Sequence, residues 1–220
     1  MEAKKRMSPR PYTPGQRQMA TEETRARIIT AGRDLIAAGD GFSGFSMEAV
    51  ARQADVARMT VYYQFGSKSG LLEALFDDLA TRAEIGDRLG AAFRKPDALA
   101  ALDALIVAFA HFWTPDRHII RRLHGLAALD PEIEQGDQVR NERRRKALRE
   151  IAGRIAEQHG RPTPESFAEV IDILHMLTSF ETFDALAGRR RSPEDMVPAV
   201  RSLALAALGL NEPKTSRRYR

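Results

Sequence analysis

The stretch FSMEAVARQADVARMTVYYQFGSKSGLL, Phe45–Leu72, decides the fold. Ser46 stands where it can cap a helix in MEAVARQA, whose Met47, Val50, Ala51 and Ala54 recur at the spacing of one helical face. Asp55 marks a tight turn. A second helix follows, with Ala57, Val61 and Phe65 at i, i+4 and i+8 as its expected buried stripe. Two short helices around such a turn have helix-turn-helix proportions. Neighbouring helical residues point about 100° apart, so one apolar face cannot bury both Tyr62 and Tyr63. With the stripe turned inward, Met59, Thr60, Tyr63 and Gln64 point away from it, and Tyr62 lies on the flank one turn after Arg58. An outward face of Thr, Tyr and Gln, flanked by Arg58 and Lys68, offers hydrogen bonds and stacking without negative charge. That set suits phosphates and base edges. The alternative, that both tyrosines pack on neighbouring helices, fits Tyr62 in part, with its hydroxyl reaching outward.

Outward from this stretch, the pattern stays helical. Thr21 precedes EETRARIITAGRDLIAAGDG and is the expected cap of a first helix with Glu22 and Glu23 in its opening turn. Ile28, Ile29, Gly32, Leu35 and Ile36 recur at helical spacing, and Gly39 and Gly41 are expected to close it. Beyond GSKSG, LLEALFDDLATRAEIGDRL starts a long helix. Pro96, Pro115, Pro131, Pro162, Pro164 and Pro193 each stand near the start of a further helical pattern. Alternating β-branched runs, Asn-Gly hairpin turns and fixed-period repeats are absent from the sequence. The expected fold is all-α: a three-helix N-terminal helix-turn-helix DNA-binding domain, then a larger helical ligand-binding and dimerisation domain.

Composition narrows the function classes. The 220 residues, 43% apolar, can bury a real core. The absence of cysteine excludes disulfide and thiolate chemistry and fits a reducing cytoplasm. No segment nears the roughly 20 apolar residues of a membrane span, and the N-terminus lacks the apolar core of a secretory signal. A cytoplasmic protein with no membrane partner is expected. The formal charge of +4 is uneven: residues 1–20 carry net +4 and residues 211–220 net +3, which leaves −3 for the body. Basic, Pro-containing ends on a mildly acidic body suit a polyanion, or serve only as solubilising tails. The expected organisation is a basic flexible arm over 1–20, a DNA-binding domain over 21–66, an effector-binding and dimerisation domain over 67–210, and a basic tail over 211–220.

The helix-turn-helix stretch resembles the N-terminal domain of the TetR family of bacterial transcription regulators. Ser46, Val50-Ala51, Ala54, Val56, Thr60, Val61, Tyr62, Phe65, Ser67, Lys68, Leu71 and Leu72 stand in register with the family pattern, within a resemblance covering Thr21 to Leu72. The resemblance implies that Thr60, Tyr62 and Tyr63 contact DNA and that Lys68 binds a phosphate at the start of the fourth helix. The expected DNA-binding set is Ser46, Arg58, Met59, Thr60, Tyr62, Tyr63, Gln64 and Lys68. Three departures bear on operator sequence rather than fold: Asp55 for the usual turn Gly, Gln64 where His is common, and Ser69-Gly70 for stronger helix formers. Asp tolerates the left-handed conformation better than most residues, so the turn is expected to survive.

The C-terminal two thirds give weaker signals. In Ser166–Gly188, one stripe holds Phe167, Val170, Ile171, Leu174, Leu177 and Thr178; another holds Ile173, Met176, Phe180 and Phe183. A helix apolar on two sides must bury both, on its own domain and on a second subunit or wholly in one core. The last helix, rich in small apolar residues from Val197 to Leu208, suits a four-helix homodimer interface, which the resemblance also implies. IVAFAHFWTPDRHIIRRLHG (Ile106–Gly125) holds the single Trp and His111, His118 and His124, whose spacing is not that of metal ligands. It reads either as an aromatic core or as the wall of an effector site. The expected effector-binding residues are Phe109, His111, Phe112, Trp113, His175, Met176 and Phe180, for a largely apolar ligand. RNERRRK (Arg140–Lys146) is expected to be a solvated helix face. No phosphate loop, nucleophile elbow or metal-ligand spacing appears, so no cofactor, metal or catalytic set is expected. The sequence points to a regulator, most simply a repressor, that binds a palindromic double-stranded operator as a homodimer and responds to a small effector. The rival readings are an all-α ligand-binding protein or enzyme without DNA binding, and an architectural DNA binder with no effector.

Overall fold

The computed structural model describes residues 14–38, 44–128 and 131–210. Residues 1–13 of the expected arm, Gly39 and Gly41, and the tail 211–220 lie outside the described residues. The chain divides into two compact units, Met1–Lys68 and Ser69–Arg220. The described residues form eleven α-helices and one 3-10 turn, with no strand among them.

The first unit holds α1 (Pro14–Ala38), α2 (Met47–Gln53) and α3 (Arg58–Phe65). α1 begins at Pro14, so Thr21 lies inside the helix and is not its cap; proline's fixed φ suits a first helical position. Ile28, Ala31 and Ile36 of α1 are buried with Phe45, Met47, Val50, Ala51, Ala54 and Val61. The Ser46 hydroxyl accepts a hydrogen bond from the Ala49 amide at 3.1 Å and so caps α2. Asp55 takes the left-handed conformation, φ 51°, that turns the chain from α2 into α3.

The expected stripe of α3 needs correction. Only Val61 is buried; Ala57 is the exposed N-cap residue, and Phe65 is half-buried at the helix end. A helix of eight residues rests its middle on the unit and leaves both ends at the rim. Phe65 gains cover from α1 instead, where the Arg25 guanidinium lies 4.5 Å from its ring centroid.

The second unit runs through α4 (Lys68–Arg82), α5 (Ile85–Phe93), α6 (Ala98–Trp113), α7 (Arg117–Ala127), α8 (Pro131–His159), α9 (Phe167–Leu177), α10 (Phe180–Ala187) and α11 (Val197–Ala207). The apolar α6, capped by Asp97, is its centre and packs on α5, α8, α10 and α11. The single helix expected over Ser166–Gly188 is two. The Ser179 hydroxyl accepts from the Thr182 amide and caps α10, while the Trp113 indole donates to the Thr178 carbonyl at 3.2 Å. A capping serine and an outside donor for a freed carbonyl offset most of the cost of the break. Phe180 and Phe183 consequently belong to this unit's own core, with Phe183 at 0% exposure, whereas Met176 is exposed. Among the described residues no single helix is long and apolar enough to cross a membrane.

Candidate functional site

Two places gather chemistry, one in each unit. In the first, α3 presents Met59 at 72% and Tyr63 at 89% exposure, large side chains that the unit does not cover. Together with Thr60 and Tyr62 they line one open hollow. Tyr62 is half-buried, and its hydroxyl accepts a hydrogen bond from Arg58 at 3.3 Å while that guanidinium sits 5.4 Å from the ring centroid. Arg58 thereby orients Tyr62 on the helix flank. Gln64 is half-buried, and its backbone carbonyl accepts from the Arg25 guanidinium at 3.3 Å. Arg25, which the sequence patterns did not single out, thus holds the C-terminal end of α3 through both a carbonyl and a ring. Ser46 is exposed at the N-terminus of α2, where its hydroxyl is engaged as the cap. Lys68 opens α4, with its ammonium 5.9 Å from the Phe45 ring centroid.

In the second unit a cavity of about 220 Å³ lies among α4 to α8. Phe109, Phe112 and Trp113 line it as expected neighbours, joined by Phe76 and Ala80 from α4, Ile85 and Leu89 from α5 and His124 from α7. The remaining expected residues stand elsewhere. His111 pairs with Glu194 at 2.8 Å, Met176 is on the surface, and Phe180 packs behind the wall against Trp113 and His124. His175 meets Arg144 from the far side, with Nε2 3.1 Å from Nη2. His124 is paired with Glu181 at 2.7 Å, and that hydrogen bond holds the Glu181 carboxyl down to about 2. Among the described residues no cluster of three or more His, Asp or Glu could hold a metal ion.

The polar wall comes from α8, and it corrects the reading of RNERRRK as a solvated face. Glu142, Arg143 and Lys146 are exposed, yet Arg140, Arg143 and Arg144 line the cavity with Asp137, Asn141 and Ala147. The Arg140 guanidinium lies 4.0 Å from the Phe76 ring centroid and 3.8 Å from Asp137. Arg144 donates to the Asn141 side chain at 2.9 Å and lies 5.9 Å from the Phe109 ring centroid. Neither arginine's buried Nε meets a hydrogen-bond acceptor among the described residues. Burial pushes Arg144 down to about 10 and lowers Arg140 as well. Helical spacing gives the side of α8 on which they lie, though not what covers it. The buried line Leu148, Ile151 and Ile155, extended backwards at helical spacing, passes through Arg144 and Arg140, while Val139 is exposed.

A capped first helix, a left-handed turn and a second helix with an uncovered polar and aromatic face make the first unit a helix-turn-helix module of the DNA-binding class. Residues 28–75 match the family model described as bacterial regulatory proteins, tetR family. Over those residues the chain matches the family's N-terminal domain, and it has the fold of TetR-family transcription regulators. Solved structures agree on the fold. One is NalD, the secondary repressor of the MexAB-OprM multidrug efflux pump in Pseudomonas aeruginosa, at 23% identity and TM-score 0.64 over 86% of this chain and 98% of that one. A second is a TetR-like transcriptional regulator from Rhodococcus sp. RHA1, at 18% identity and TM-score 0.62 over 86% and 97%. A third is PfmR of Thermus thermophilus, a TetR family transcriptional regulator, at 22% identity and TM-score 0.57 over 82% and 97%. No curated protein sequence matches the chain significantly.

Proposed function

We propose that the protein is a transcriptional repressor that binds a palindromic operator as a homodimer and is released by a small effector held in the second unit. The observation that carries the reading is the uncovered face of α3. Tyr63 and Met59 stand exposed on a short helix that Arg25 fixes at its C-terminal end. Exposed large side chains on a rigid support are contact residues without a contact. In this reading Thr60, Tyr63 and Gln64 meet base edges or backbone. Arg58, Tyr62, Lys68 and the amide end of α2 at Ser46 meet phosphates, which position the module without reading sequence. Met59 packs against sugar or base methyl groups. No catalytic role is assigned to any residue.

Dimerisation is supported by α9 and α11, which pack on one another and leave Met176, at 55%, and Leu203, at 48%, exposed. Exposed Ala199 and Ala206 flank Leu203 along α11, so a second copy could approach closely. Two copies would set their α3 helices in successive major grooves about 34 Å apart. The cavity among α4 to α8 is the effector site of this reading. An effector lowers operator affinity only by its differential affinity for the two states, and it raises the melting temperature by binding the native one.

Selection of bound sequences from random duplexes tests the reading. Recovery of one palindrome with half-sites a helical turn apart is the expected result. Enrichment of nothing above random duplex would leave an architectural binder, and no retained DNA would leave a ligand-binding protein.

A further inference from the structure

The cavity of the second unit is mostly apolar, yet two guanidinium groups are drawn into its wall. The buried Nε of Arg140 meets no acceptor among the described residues, and its Nη2 makes only a long ion pair with Asp137, at 3.8 Å. Arg144 engages Nη2 with Asn141 and His175, while its buried Nε meets no acceptor among the described residues. Buried cations are ordinarily paired, because desolvation is otherwise uncompensated. The acids nearby do this only in part, since Asp137 reaches Arg140 at 3.8 Å and no carboxylate hydrogen-bonds either Nε. Asp137 already accepts from the Asn141 side-chain Nδ2 at 2.9 Å, and Asp77 is exposed at the rim. A planar fork of donors beside an aromatic wall is the arrangement that receives a carboxylate.

We propose that this cavity binds a small amphipathic monocarboxylate, with its carboxylate on Arg140 and Arg144 and its apolar body against Phe76, Phe109, Phe112 and Trp113. The proposal rests on reading the cavity as an effector site and names the class of its ligand. Size and charge both narrow that class. About 220 Å³ is below the roughly 300–1,000 Å³ of sites for drug-sized ligands, so an aryl or short-chain acid fits. The lining carries Arg140, Arg143 and Arg144 against Asp77 and Asp137, an excess of one positive charge, which a monoanion balances. A cationic ligand would face the arginines and find a carboxylate only at Asp77 on the exposed rim. A neutral one offers at most a carbonyl acceptor and leaves the positive charge uncompensated. The carboxylate restores the acceptors that burial removed, and Arg144 stays protonated at neutral pH with its pKa near 10, ready to hold it.

The test is calorimetry on the full chain at pH 7.5 with matched probes: 2-naphthoate against 2-naphthamide and 2-naphthylmethylammonium, and octanoate against octanamide. At least one acid should bind ten or more times as tightly as its amide, and the ammonium should bind least. R140Q and R144Q should each weaken the acid at least fivefold and leave the amide within twofold. The acid-to-amide ratio of the parent protein decides the matter even if one variant fails to fold. Equal binding of acid and amide in both pairs, preference for the ammonium, or no binding by any probe would overturn the proposal. Operator affinity, measured in parallel, separates the two readings. An acid that binds selectively but leaves operator affinity unchanged removes the effector role and keeps the anion site. An amide that binds best and releases DNA keeps the effector role and removes the anion site.

Discussion

Tyr63 and Phe65 share one short helix and carry opposite tasks. Tyr63 is uncovered, so Tyr63→Ala should leave thermal unfolding nearly unchanged while weakening operator binding by about 1–3 kcal/mol, roughly 5- to 150-fold, in a titrated gel shift. Operator affinity within twofold of the parent would make Tyr63 a bystander. Phe65 is half-buried under Arg25, so Phe65→Ala should cost stability of about 1–2 kcal/mol, below the ~3–5 kcal/mol of a fully buried ring. His175 gives a pH-dependent residue-scale prediction. Burial, then the nearby Arg144 and Arg145, push its pKa below the ordinary 6.5. As pH falls through 6.5 the unfolded chain takes up a proton that the folded ring refuses, so stability declines below that pH and gains nothing further above it. The melting temperature should therefore drop between about pH 7 and pH 5, and the drop should shrink in His175→Gln. An equal drop in the variant would assign the acid sensitivity to other groups.

At the scale of elements, caps and breaks decide which faces are free. Ser46→Ala removes the side-chain acceptor at the start of α2 and should cost about 1 kcal/mol of stability, seen in urea titration with an unchanged slope. The break at Thr178-Ser179 has a larger consequence, because it folds Phe180 and Phe183 into the protomer core and leaves α11 with an exposed apolar line. Phe183→Asp would accordingly unfold the chain rather than separate two chains. Leu203→Glu is the informative variant: light scattering at micromolar concentration should report monomers whose helicity and melting transition persist. A dimer surviving Leu203→Glu would move the interface elsewhere. Apolar periodicity could reveal that this segment has two faces, but a break needs a partner for the freed carbonyl. That partner is Trp113, distant in sequence and therefore invisible to a local pattern.

For the whole molecule, charge and affinity meet in the salt dependence of DNA binding. Lys68→Ala should weaken operator and random duplex alike and flatten the slope of log Kobs against log salt by about one, since one fewer counterion is released. Removing residues 1–13, with Lys4, Lys5, Arg6 and Arg10, should weaken binding most at low salt. An unchanged slope in both variants would separate the basic end from DNA. The sequence by itself determined the all-helical class, the Ser46 cap and the Asp55 turn, because caps, turns and 3.6-residue periodicity are written within a few neighbouring residues. It also carried the resemblance to the family's N-terminal domain, whose residues lie within one stretch, Thr21 to Leu72. Only the tertiary structure decided that α1 supports Phe65 through Arg25, that α10 turns inward, and that Arg140 and Arg144 enter a cavity rather than face water. A charged residue on a helix looks solvated until another helix covers it. What covers it is fixed by packing between segments far apart in the chain, which no single stretch records.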